Sequence, residues 1–111
     1  MEEYVKEFLI ESYENLDQIE RDLLMLEKKP ADQDTLASIF RMFHTIKGSC
    51  GIVGFEEIET ITHAGETLLG RVRDDIINIT SEIITTLFKV LDSIRSIFSN
   101  IEKNRLRGFT G

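Results

Sequence analysis

Apolar residues return at alternating three- and four-residue steps along four separate segments, and this rhythm leaves few folds open. A step of that kind lines one face of an α-helix with side chains that must be buried. The first stripe is Val5, Leu9, Leu16, Ile19, Leu23 and Leu26, interrupted only by the polar Ser12. The second is Leu36, Ile39, Phe43, Ile46 and Cys50, and the third Ile58, Ile61, Gly65, Leu68 and Val72. The fourth is Ile84, Leu87, Leu91, Ile94, Phe98 and Ile101. Strand-like alternation is confined to Ile77 and Ile79, too brief for a sheet.

Local signals punctuate the four segments. Lys28-Lys29-Pro30 closes the first, because basic residues suit a helix C-terminus and proline resists continuation. Asp32 or Asp34 caps the second, and the glycine-flanked turn Gly51-Ile52-Val53-Gly54 ends it. Phe55 opens the third, with Glu56 and Glu57 at its positive end. Thr80 caps the fourth, with Glu82 in the first turn. The expected helices are 2–28, 33–51, 55–74 and 80–103. Connections this short make successive helices antiparallel, so the expected architecture is all-α, an up-down-up-down four-helix bundle. With 111 residues the chain holds one domain, 1–104, and the stretch 105–111 loses the pattern and reads as a tail or linker stub.

Twenty acidic residues against thirteen basic ones give a net charge of −7, which disfavours nucleic acid as a partner. No apolar run nears the ~18 residues of a membrane span. Met1-Glu2-Glu3 is acidic where a secretory leader is basic, and the single Cys50 cannot form an internal disulfide. These features together point to the cytoplasm.

The helical rules break at one place, His44-Thr45-Ile46-Lys47-Gly48-Ser49-Cys50-Gly51. The plain reading of Gly48 is a helix C-cap, yet Ile46 and Cys50 carry the apolar step across it. A glycine inside the helix costs about 1 kcal/mol relative to alanine. At ~100° per residue His44 lies roughly 110° from the middle of its core stripe, at the solvent boundary. Ala37, Arg41, His44, Gly48 and Gly51 share that strip, and Lys47 stands one turn from the histidine. Helical side chains lean toward the N-terminus, so a bulky residue at 48 would cover the ring. A neutral imidazole is nucleophilic near neutral pH, and a lysine at i+3 can offset incoming phosphoryl charge. A nucleophilic histidine also needs its tautomer fixed by a partner. Glu66 on the third helix has a similar angular offset, so the two residues either face one another or both face away. Wheel geometry alone allows both.

The run from His44 to Ser49, with Gly51 and Gly54-Phe55 after it, resembles the histidine phosphotransfer (HPt) signature. More specifically, the chain resembles the N-terminal phosphoacceptor domain of CheA-type chemotaxis kinases. Phe40-Arg41, His63-x-x-Glu66, Thr67-Leu68-Leu69, Thr80, Leu87, Asp92 and Ile94 extend the likeness over about residues 2–101. The resemblance implies that His44 is phosphorylated on Nε2 by a kinase ATP-binding domain. An aspartate of a response regulator receiver domain would then take the phosphoryl group. It also implies that Glu66 holds the histidine, with Lys47 and His63 completing a polar cluster. Arg41, Gly48 and Gly51 are the expected docking residues. Cys50 departs from the commoner small residue, and the tail has no counterpart. The kinase, dimerisation and coupling domains of such kinases are absent, so an excised domain or an unusual short protein is expected.

Two other function classes compete. A metal-binding bundle could use His44, His63 and Glu66, but a closed zinc site wants four ligands and Cys50 sits on the core stripe. A bundle that only binds partners would tolerate His44→Gln, whereas a relay would not. No nucleotide motif or phosphate-cradling glycine loop is present. No cofactor is therefore expected in this chain, and ATP and magnesium would belong to partner domains.

Overall fold

The computed structural model describes residues 3–30, 32–53, 55–74 and 78–110, without the side chains of 52–53 and 104–110. It contains α1 (Glu3–Lys28), α2 (Gln33–Val53), α3 (Glu56–Arg73) and α4 (Ser81–Thr110). Helix α2 packs between α1 and α3, and α4 closes the ring against the same two helices. This is the up-down-up-down bundle, with principal extents of 50 × 22 × 19 Å. Its length follows α4, whose 30 residues rise about 45 Å at 1.5 Å each.

Polar side chains settle two of the helix starts. Asp32, rather than Asp34, caps α2: its Oδ1 accepts the N–H groups of Asp34 and Thr35 at 3.1 and 3.3 Å. Thr80 Oγ1 accepts the N–H of Ile83 at 3.2 Å. Helix α3 starts differently, because Phe55 provides no side-chain cap. Its N–H bonds the carbonyl of Cys50 at 2.9 Å, and its ring meets Phe8 edge-on at 5.5 Å. Phe8 in turn meets Phe98, which meets Tyr13, both at 5.6 Å. This aromatic chain ties the beginning of α3 to α1 and α4, and so fixes its position along α2.

Three helix ends differ from the sequence expectation. Helix α2 runs through Gly48 and Gly51 to Val53, past the expected end at 51. Two helical glycines cost about 2 kcal/mol at most, less than is gained by burying Ile46 and Cys50 on the same helix. Helix α3 stops at Arg73, with Asp74 as C-cap donating its N–H to Gly70 at 2.9 Å. Helix α4 continues to Thr110 instead of ending at 103. Arg105, Leu106 and Arg107 are good helix formers, and extending an existing helix needs no new nucleus. Glu2, Gly54 and Ile77, which carried other expectations, lie outside the described residues.

The core stripes of α1 and α2 are buried in full, with Phe8 added, as are the first five residues of the α4 stripe; Ile101 is half-buried. Helix α3 is the exception. Its buried residues are Ile58, Thr62, Gly65, Leu69 and Val72, while Ile61 and Leu68 are only partly covered. Thr62 tolerates burial because its hydroxyl donates to the Ile58 carbonyl at 2.8 Å. The true core face is thereby turned by about 40° from the expected one, at 100° per residue. That rotation moves Glu66 toward the α2–α3 seam.

Candidate functional site

Across that seam His44 Nδ1 lies 3.0 Å from Glu66 Oε2, and Lys47 Nζ donates to Glu66 Oε1 at 2.9 Å. The two helix flanks therefore face one another. The Glu66 side chain is 13% exposed and that of His44 67%, so the anchor is covered while the ring projects into solvent. Burial pushes the Glu66 carboxyl up, but the bonds and charges of Lys47 and His44 outweigh it and hold it below its ordinary value of 4.5. An ionised carboxylate only accepts hydrogen bonds, so Nδ1 carries the proton and donates it. In the neutral imidazole Nε2 then holds the free lone pair.

Lys47 makes a contact that its position on the wheel did not suggest. It is held on Glu66, so both carboxylate oxygens are engaged and the group cannot turn away without losing a bond. The remaining expected residues are arranged more loosely. Gly48 is exposed, and a Cβ added there would meet no atom within 4 Å. At Gly51 a Cβ would make ordinary contact with the Glu59 carboxylate at 3.6 Å. The bundle's own packing therefore does not demand glycine at 48. Arg41 is exposed, and its carbonyl accepts the Thr45 hydroxyl at 2.9 Å. His63 is also exposed, and it makes no hydrogen bond or ion pair with the other three among the described residues. No group of three or more His, Cys, Asp or Glu side chains is gathered as metal ligands among the described residues.

One interaction farther along the same pair of helices escaped sequence reasoning. The Arg73 guanidinium lies 4.5 Å above the Phe40 ring, one turn before His44, and its Nε donates to Asp74 at 3.1 Å. A signal existed: Glu59, Glu66 and Arg73 recur at seven-residue spacing, which places all three on one edge of α3.

A bundle that presents one histidine from a helix face, anchored through one nitrogen and bare at the other, has the architecture of a phosphotransfer domain. The Hpt domain family matches residues 3–101, and the chain belongs to that family. It is similar to the sensor histidine kinase CheAY of Helicobacter pylori, 36% identical over 101 residues. That match covers 91% of this chain and 13% of the relative. The chemotaxis protein CheA of Halobacterium salinarum is 32% identical over 102 residues, covering 92% of this chain and 15% of the relative. The chain thus spans a small fraction of the length of these curated relatives. Among solved structures, the CheA phosphotransferase domain from Thermotoga maritima superposes with a TM-score of 0.86 at 34% identity. It covers 89% of this chain and 94% of its own. The phosphorylated P1 domain of CheA3 in complex with CheY6 from R. sphaeroides gives 0.86 at 28% identity, over 95% of this chain and 82% of that one. No described helix is long and apolar enough to cross a membrane.

Proposed function

We propose that His44 is the phosphoryl carrier of a two-component relay in the cytoplasm. It accepts from the ATP-binding domain of a CheA-type kinase and donates to an aspartate of a response regulator receiver. The observation that carries this reading is the bond from Nδ1 to Glu66, which leaves Nε2 as an exposed nucleophile. In the accepting step the Nε2 lone pair attacks the γ-phosphorus of ATP. An Nε2–P bond forms, the bond to the bridging oxygen breaks, and ADP leaves with that electron pair. The ring keeps its Nδ1 proton and becomes cationic as the new bond forms, and the Glu66 carboxylate offsets that charge. In the donating step the receiver carboxylate attacks the same phosphorus, and the electron pair of the N–P bond returns to Nε2.

ATP and magnesium belong to the partner domains in this scheme, and the domain contributes position and electrostatics. Arg41, Gly48 and Gly51 line the approach to the ring on α2. His63 stands apart from the anchor and contributes at most to contact with a partner. The test is transfer from the phosphorylated domain to a CheY-type receiver with magnesium. Label should leave the domain and appear on the receiver aspartate; label that stays on the domain contradicts the relay.

A further inference from the structure

We propose that Gly65 is a positioning residue: by having no side chain it lets the Phe43 ring close the α2–α3 seam to the separation at which Glu66 reaches His44. The inference rests on the phosphoacceptor reading above but concerns the cause of its geometry. Phe43 and His44 are consecutive on α2, and Gly65 and Glu66 are consecutive on α3. The seam thus has an inner contact, ring on glycine, directly beside an outer one, imidazole on carboxylate. Phe43 is fully buried and Gly65 is buried against it. A Cβ at 65 would lie 3.2 Å from Phe43 Cε1, 3.4 Å from Cζ and 3.5 Å from Cδ1. The first is tighter than a relaxed methyl–ring contact and the other two lie at the near edge of ordinary contact, so the ring or the helix must move by a few tenths of an ångström at Cε1. A ring enclosed in the core has little freedom to turn. The displacement therefore passes to the helix spacing, and the 3.0 Å bond beside it stretches toward the limit of a hydrogen bond. Gly70 gives a matched contrast on the same helix, since a Cβ there would sit 3.8 Å from Phe40, an ordinary contact.

The experiment compares Gly65→Ala, Gly70→Ala and the double variant Gly65→Ala/Phe43→Leu with the unaltered domain. Two properties are read: the His44 tautomer, by long-range ¹H–¹⁵N NMR of the ring nitrogens, and the initial rate of phosphorylation by a CheA-type kinase. Circular dichroism monitors folding. Gly65→Ala should stay helical, lose the uniform Nδ1–H tautomer and slow by about tenfold, short of the ~10²-fold that a full ångström of misplacement costs. Gly70→Ala should match the unaltered domain in both properties. The double variant, with the ring tip removed, should regain the tautomer. A folded Gly65→Ala with unaltered tautomer and rate overturns the proposal. If Gly65→Ala alone does not fold, a folded double variant with the fixed tautomer supports it, and one without that tautomer overturns it. Because the tautomer is read without any kinase, failure of the unaltered domain to accept phosphate would count against the relay and leave the spacing result standing.

Discussion

In the proposed relay the chemistry at His44 depends on which ring nitrogen keeps its proton, and the bond to Glu66 sets that choice. Glu66→Ala should free the ring, mix its tautomers and slow phosphorylation by about 10²-fold, the lower end for a partner of this kind near solvent. Glu66→Gln retains an acceptor oxygen and should be milder, and His63→Ala milder still. Equal rates for Glu66→Ala and the unaltered domain, with an unaltered ring spectrum, would remove Glu66 from the mechanism. The lowered Glu66 pKa adds a pH signature. The ionised carboxylate is favoured by the fold, so its stabilisation is present above about 4.5 and is lost as pH falls through its lower folded value. The stability difference between the unaltered domain and Glu66→Gln should therefore shrink below that range in urea titrations. Gly48 separates packing from docking. With open space around it, Gly48→Ala should stabilise by up to ~1 kcal/mol through helix propensity. Gly48→Glu should stay folded and slow transfer. His44, Lys47 and Glu66 stood out in the sequence through residue type, spacing and the resemblance to the phosphotransfer signature. That the two flanks face each other was not legible there, since equal offsets on antiparallel helices fit both arrangements.

Helix ends and faces were legible wherever a single strong preference decides them. The Thr80 cap is such a case, and Thr80→Ala should cost ~1 kcal/mol without changing the phosphorylation rate, because the cap lies at the start of α4. A rate that fell with it would indicate coupling between that end of the bundle and the seam. The face of α3 was read less well. Ile61 and Leu68 outrank Thr62 in hydrophobicity, and nothing local shows that the Thr62 hydroxyl will be satisfied by the Ile58 carbonyl. Gly65 was placed on the stripe and is buried there, but nothing local shows that it is a contact surface for Phe43. The ends of α2 and α4 were placed too early for a related reason. Glycines and a lapsed apolar pattern weaken a helix without stopping one that is already formed.

Over the whole molecule, the bundle couples a neutral core to an acidic surface, and its alkaline limit follows from two covered groups. Burial pushes the Cys50 thiol up from 9.0 to about 12, with the Glu59 charge adding to the effect. Burial, then the Glu102 carboxylate bonded to its hydroxyl, raises Tyr13 from 10.0 to about 12. Both groups stay protonated in the fold at pH values where the unfolded chain has lost those protons. Their stabilisation is thus full below about pH 9 and is lost as pH rises toward 12. Urea midpoints should be level from neutrality to that point and then fall, and Cys50→Ala should delay the onset of the fall. In the proposed relay the whole fold serves to present one nucleophilic nitrogen. The most direct measurement is incubation with a CheA-type kinase and ATP, followed by mapping of acid-labile phosphate in the unaltered domain and in His44→Gln. A single phosphohistidine at His44 and none in the variant is the expected result; phosphate persisting at a comparable level in a folded His44→Gln contradicts the relay.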